Sequence, residues 1–274
     1  MKKTVITSMD PYGYNLYGRN FLETFHLYWP KDITLVAYME PGVDYTGGIF
    51  KDERPYLCDS VGNIPGLNAF IDAVSYFPVM CGWTPGGHKI FNDARSGRAT
   101  YMHAHAVQEF GGKVYWLDSD IVTHAEVTHD LLDELLPDDK FCCYLGRKEV
   151  FSENGFIGFN AEHPIASKFM QAYLGMYKSG AVFLEPGWND CCVFDRVRVQ
   201  AQKQFPEAFK DLGDGVNYTK EAQHVFINSV LGSVMDHLKG SRKSSGKSYK
   251  SDLSSPRPEP YWQFEENPVS VQTR

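Results

Sequence analysis

The sequence predicts an α/β protein with a Rossmann-like, mostly parallel central sheet flanked by helices. Three observations lead there. Short apolar runs alternate with segments of helical apolar spacing, the pattern of β-α-β units. The most apolar strand, in "KVYWLDSD", is apolar on both faces and therefore central. It runs directly into two carboxylates one residue apart, Asp118 and Asp120, and in such sheets ligands bind beyond the carboxyl ends of the strands.

The elements follow in order. "KTVITSM" is a first strand, and its end opens into "TSMDPYGYNLYG", a loop rich in Gly, Pro and Tyr. The leading "MKKTVITSMD" has too short an apolar run for a signal peptide. "RNFLETFHLYW" places Phe21, Leu22, Phe25, Leu27 and Tyr28 at helical spacing and is stopped by Pro30. "DITLVAYME" is the second strand. Residues 41–90 read as irregular, with some helix near 66–75, and residues 91–111 as a helix ending at Gly111 and Gly112. After the "KVYWLDSD" strand come a helix in "EVTHDLLDELLP", a strand in "KFCCYLG", and a loop then a short strand in "SENGFIGFN". "HPIASKFMQAYLGMYKSG" is a helix, and another starts at Asn189 or Asp190. Residues 1–250 read as a single domain and 251–274 as a polar tail.

Composition narrows the function. The chain has 274 residues, ample for a real core, and its 43% hydrophobic and 22% charged content is that of a soluble globular protein. A net charge of −7 supplies no global basic field for nucleic acid or anionic lipid. No run of apolar residues is long enough for a membrane span. The cysteines (Cys58, Cys81, Cys142, Cys143, Cys191, Cys192) lack C-x-x-C spacing, which argues against a zinc site and for reduced, mostly buried thiols in a cytoplasmic protein. His103 and His105 sit two apart in a helical pattern and so face different sides, which argues against a shared metal.

Two motifs carry the chemistry. A strand-end Asp-x-Asp suits a divalent cation: Mg²⁺ takes carboxylates plus substrate phosphates, and Mn²⁺ accepts the same oxygens and imidazole. The competing reading is that Asp118 and Asp120 cap a turn. Far downstream lies "HLKGSRK". There His237 offers a neutral imidazole, Gly240 close backbone approach to phosphate, and Lys243 a point charge. By itself this segment also reads as a solvated loop.

Together, the Asp-x-Asp and the later H-x-x-G-x-x-K resemble the glycogenin-type glycosyltransferases of the GT-A fold. The resemblance spans roughly residues 4–243 as separated motifs. It implies Asp118, Asp120 and His237 as ligands of Mn²⁺ (or Mg²⁺), and Gly240 and Lys243 as contacts to the diphosphate of a UDP-sugar. It also implies Thr7, Ser8 and one of Tyr12, Tyr14 or Tyr17 around uracil, with Tyr14 preferred, and Ser119 between the aspartates at the donor. Arg95 or Arg98 would be the basic residue facing the donor. Glu153, Asn154 and Gly155 would lie at the sugar and acceptor, and Asp190 and Trp188 beside the donor sugar. The Pro-Trp that follows the motif lysine in the family is here replaced by Ser244, Ser245 and Gly246.

The implied activity is transfer of a sugar to a hydroxyl acceptor with retention. Asp190 would be the carboxylate that stabilises the oxocarbenium-like centre, with Glu153 second. The acceptor is open among a glycan, a protein, a small molecule and a modified DNA base. The compact length and the "YG…F…WP" opening also resemble glycosyltransferases encoded by bacterial viruses, for which the host cytoplasm and a hydroxymethylated DNA base would be the setting. Two other classes compete. A nucleotidyltransferase would carry a Gly-rich, basic loop after its first strand, where this chain has tyrosines and only Arg19. A non-catalytic nucleotide-sugar-binding protein would bind without turnover.

Overall fold

The computed structural model describes residues 1–44, 56–75, 80–83, 89–92, 94–148, 150–216 and 224–263. In chain order its strands are β1 (Lys3–Met9), β2 (Thr34–Met39), β3 (Tyr56–Ser60), β4 (Met80–Trp83), β5 (Lys89–Asn92), β6 (Lys113–Leu117), β7 (Ile121–Thr123), β8 (Cys142–Leu145), β9 (Glu153–Asn160), β10 (Phe209–Asp211) and β11 (Met235–His237). The helices are α1 (Pro11–Gly13), α2 (Arg19–Tyr28), α3 (Leu67–Ser75), α4 (Arg98–Phe110), α5 (His129–Leu135), α6 (Ala166–Lys178), α7 (Asp190–Gln204), α8 (Val225–Asn228), α9 (Arg242–Ser245) and α10 (Pro260–Gln263).

Seven strands form the main sheet in the order β10-β8-β9-β6-β1-β2-β3. The run β6-β1-β2-β3 is parallel, and so is the pair β8-β10. Only β9 is inverted, antiparallel to β6 and to β8. Its first residues therefore lie at the end where its parallel neighbours finish. This is the mostly parallel α/β architecture expected, with β6 fully buried in the middle.

The two faces of the sheet feed two cores, and strand alternation decides which residue goes where. Ile6, Val36, Trp116 and Ile157 join the layer built with α3, α4, α6 and α7. Their neighbours Val5, Leu35, Tyr115 and Phe156 join the opposite layer, built with α2, α5 and α8. In α4, His103 is buried among Trp116, Phe159 and Tyr173, whereas His105 bonds the Tyr38 hydroxyl at 2.9 Å. The two histidines do face apart. Cys142, Cys143, Cys191 and Cys192 are free thiols, and all but Cys191 are buried.

Four expectations need correction. The helical run after β1 starts at Pro11, capped by the Asp10 side chain, and reaches α2 through a π turn at Tyr14–Gly18. Residues 41–90 contribute β3 to the main sheet and a β4-β5 hairpin; short strands at a sheet edge leave little apolar signal. The 91–111 segment is not one helix: β5 runs to Asn92, and α4 begins only at Arg98. Gly97 packs so tightly there that a Cβ would stand 2.5 Å from the Tyr177 ring. The strand in "SENGFIGFN" runs through eight residues from Glu153, with no leading loop.

The segment expected as a polar tail from 251 is held to the domain as far as Gln263. Trp262 is 3% exposed and its Nε1 donates to the Gly232 carbonyl at 2.7 Å. The Tyr261 hydroxyl donates to Asp236 Oδ2 at 2.8 Å, and Arg242 grips Asp252 through two nitrogens. Residues 264–274 lie outside the described residues. No described helix is long and apolar enough to cross a membrane.

Candidate active site

The site is assembled by the turn that ends β6. Asp118 N donates to the Gly155 carbonyl at 3.0 Å, which ties the turn to β9, and Ile121 N closes back on the Asp118 carbonyl at 3.1 Å. The chain then enters β7, whose antiparallel partner is β11 with His237 opposite Ile121. Leu238 N donates to the Asp120 carbonyl at 3.0 Å. This small two-stranded sheet brings the distant histidine to the two aspartates. His237 Nε2 lies 3.1 Å from Asp120 Oδ1 and 3.6 Å from Asp118 Oδ2. Ligand atoms of Asp118, Asp120 and His237 all lie within 4.8 Å of one another.

Electrostatics couple the three. Asp118 faces the cleft but sits at its floor, where desolvation and the Asp120 charge push its carboxyl up to about 7. Burial also pushes Asp120 upward, yet the charges of His237 and Lys243 outweigh it and hold this carboxyl low. For His237, burial favours the neutral ring, but Asp120 and Glu153 overcome it and raise the pKa to about 10. Lys243 Nζ completes the charge balance at 2.9 Å from Asp120 Oδ2. Two carboxylates and an imidazole, preorganised and compensated by protons that a cation would replace, fit a hard divalent ion of the Mn²⁺ type. The turn-capping alternative fails to explain why a buried histidine is brought to the same point.

Beside the cluster opens a cavity of about 680 Å³. Its walls include Ser8 from the end of β1, Glu40 from the end of β2, Arg98 from α4, and Asn154 and Gly155 from β9. Asp190 enters from the start of α7. The N-cap of that helix is Asn189, whose side chain accepts from Cys192 N at 2.9 Å, so capping is not the job of Asp190. The Asp190 carboxylate instead accepts from Asn154 Nδ2 at 2.8 Å, while its backbone N donates to Ser96 Oγ at 3.0 Å. Burial raises its pKa. Asn154 Oδ1 is buried and has no hydrogen-bond partner among the described residues.

The other expected residues divide. Thr7 is fully buried inside β1, whereas Ser8 reaches the cavity. Tyr14 is 3% exposed, packed in the core with Arg19 over its ring, and has no open face for a base. Of the tyrosines around it, Tyr17 reaches the site: Lys243 Nζ lies 4.6 Å from its ring centroid. Arg98 lines the cavity and pairs with Glu40, while the Arg95 side chain lies outside the described residues. Ser119 is half-buried in the turn between the aspartates. Trp188 packs edge-to-face on Phe183 at 5.3 Å instead of lining the cavity. Gly240 adopts φ +57 in the exposed turn that leads into α9 and Lys243, a conformation that favours glycine. Glu153 is 4% exposed, with both oxygens already facing His237 and Lys239, and its carboxyl is held far below the usual range. There burial is outweighed by Lys239 and His237.

Sequence reasoning missed Arg147, Ser96 and Cys191, which line the cavity, and read Lys239, which lines it too, only as one of a basic group that could hold phosphate. Arg147 follows the end of β8, so the strand-end rule applied to "KFCCYLG" would have found it. Lys239 lies inside the histidine motif itself. Ser96 and Cys191 carry no local signal.

No protein-family model and no curated protein matches the sequence. Among solved structures, the chain superposes on the bifunctional glycosyltransferase WbbM with a TM-score of 0.51 at 12% identity, over 96% of this chain and 50% of that one. The fold is GT-A. The chain spans half of WbbM. Two further similar structures are mouse xyloside xylosyltransferase 1 (TM-score 0.48, 11% identity, 77% of this chain and 85% of that one), and a glycosyltransferase involved in glycosylation of the major capsid of PBCV-1 (TM-score 0.46, 12% identity, 88% and 96%).

Proposed function

We propose that the protein is a metal-dependent glycosyltransferase that moves a sugar from a nucleotide-diphosphate sugar, a UDP-sugar, to a hydroxyl acceptor with retention of configuration. One observation carries this reading. Asp118, Asp120 and His237 converge at the carboxyl end of the central strand of a GT-A sheet, beside a polar cavity that a further carboxylate, Asp190, also lines.

Asp118, Asp120 and His237 would hold Mn²⁺, which when bound supplies positive charge to the departing diphosphate. Lys243 adds a second positive charge on the same side and carries it from a turn that Gly240 permits. Ser8 and Tyr17 stand at the end of β1, where the uridine would lie. Asn154 orients Asp190 with its amide nitrogen and leaves its carbonyl oxygen to accept from a sugar hydroxyl. Asp190, fixed at the start of a fifteen-residue helix and by Asn154, is placed to stabilise the positive charge that develops at the anomeric carbon. The acceptor hydroxyl then attacks from the side the diphosphate leaves: its oxygen bonds the anomeric carbon as the bond to the diphosphate oxygen breaks, and its proton passes to that departing oxygen. The nucleotidyltransferase reading has less support, since Arg19, the one cation of the loop after β1, is taken up by Asn15 and the Tyr14 ring.

The test is release of UDP from a panel of UDP-sugars with Mn²⁺ present. Asp190→Asn should lower kcat roughly 100-fold or more, with UDP binding preserved. A panel in which no UDP-sugar is bound or consumed would sink the proposal.

A further inference from the structure

The structure assigns Glu153 a positioning role: it fixes the ring of His237 so that Nε2, and only Nε2, is presented to the metal site. This inference rests on the metal reading above and deepens it. The family resemblance puts this position at the donor sugar, and Glu153 does line the cavity, but its hydrogen bond goes to the histidine.

The geometry leaves little choice. His237 Nε2 faces both aspartates, and Nδ1 points the other way, 2.8 Å from Glu153 Oε1. A carboxylate only accepts, so it selects the ring form that carries its proton on Nδ1 and keeps the Nε2 lone pair for a cation. Glu153 is buried at the first position of β9, where the strand ladder fixes its backbone. Its second oxygen has Lys239 Nζ at 2.7 Å as a counter-ion. That contact is ionic and lacks hydrogen-bond alignment, since Oε2 makes no hydrogen bond among the described residues.

Two further features lock the ring. Gly155, on the same face of β9, lies directly under it: a Cβ there would stand 2.5 Å from His237 Cε1 and 2.6 Å from Nδ1. Phe226 closes the other side edge-to-face, with centroids 5.3 Å apart. A flip of the imidazole about Cβ–Cγ would bring Cδ2 to the place of Nδ1 and Cε1 to the place of Nε2, so it would break the Glu153 bond and take the ring nitrogen away from the aspartates. Histidine ligands commonly donate their second N–H to a carboxylate, and loss of that partner typically weakens metal affinity about 10–100-fold.

The experiment measures Mn²⁺ dissociation constants without donor for the wild type, Glu153→Gln and Glu153→Ala, and records proton spectra of the Co²⁺-loaded proteins. Melting in EDTA checks that each variant folds. Expected is an exchangeable, hyperfine-shifted Nδ1–H signal in the wild type that His237→Gln removes. Glu153→Ala should lose that signal and bind Mn²⁺ about 10–100-fold more weakly. Glu153→Gln, which can still accept through its amide oxygen, should keep the signal and lose less affinity. If Glu153→Ala does not fold, the Gln variant decides: wild-type affinity without the Nδ1–H signal overturns the proposal. If Glu153→Ala folds and binds within twofold of wild type with the signal intact, the positioning role is wrong although the metal site stands. A wild type that binds neither ion at all overturns the metal reading, and this inference with it.

Discussion

Asp118 and Asp120 repel each other, and the molecule resolves that with protons. His237 carries a proton up to about pH 10 and Asp118 up to about pH 7. The signs follow from linkage. A raised histidine pKa stabilises the metal-free fold below its unfolded value, and that contribution is lost as pH climbs through about 10. A cation must displace the same proton, so its affinity moves the other way and increases with pH. Between pH 7 and 9 only His237 has a proton to release, and log affinity should rise by about one per pH unit; below 7, where Asp118 is protonated too, the slope should approach about two. Calorimetry of Mn²⁺ binding in two buffers of different ionisation enthalpy counts these protons, and a pH-independent affinity would refute the scheme. The grouping of Asp118, Asp120 and His237 was legible in the sequence through the order and spacing of the two motifs that carry the family resemblance. Which tyrosine after β1 comes close to Lys243 was not. Tyr12, Tyr14 and Tyr17 share one short stretch, and only the Asp10 cap and the π turn decide that Tyr14 turns into the core.

At the scale of elements, β9 and α7 each deliver one side of the site. Asn189→Ala removes the N-cap of α7 and should cost about 1 kcal/mol in urea denaturation. It should also lower kcat by loosening Asp190, with Mn²⁺ affinity unchanged. Gly155→Ala puts a methyl into the His237 ring and should cost roughly 1–3 kcal/mol by overpacking, with a measurable loss of Mn²⁺ affinity. Unchanged affinity in that variant would mean the ring is free to move. "SENG" carries the residues of a turn, so sequence reasoning placed a loop there; pairing with β8 and β6 overrides that local preference and buries Glu153 and Asn154. The helix period of α2 was strong enough to be read directly, whereas α7, with a weaker apolar stripe, was read from its start at Asn189 or Asp190.

Across the whole molecule, the central strands announced themselves through apolar runs buried on both faces, and the sheet edges did not. The C-terminal segment shows why composition alone misleads. Between Gly240 and Gln263 it is polar, yet Tyr261 and Trp262 plug one of the two cores and Asp236 binds it back through Ser248 and Tyr261. Trp262→Ala should therefore destabilise the fold by about 3–5 kcal/mol, a loss that a denaturation midpoint will show. A stability within a few tenths of a kcal/mol of wild type would return this segment to the status of a tail. The fold itself places Ser8, Glu40, Asp118, Arg147 and His237, from the ends of five strands, around one cavity, and the decisive question is whether that cavity takes a nucleotide through a metal. The most direct measurement is calorimetric titration with UDP, in Mn²⁺ and in EDTA, of the wild type and of Asp120→Ala. UDP binding that requires both Mn²⁺ and Asp120 is the predicted result; UDP binding equally tight in EDTA or in Asp120→Ala, or no binding in any condition, would contradict it.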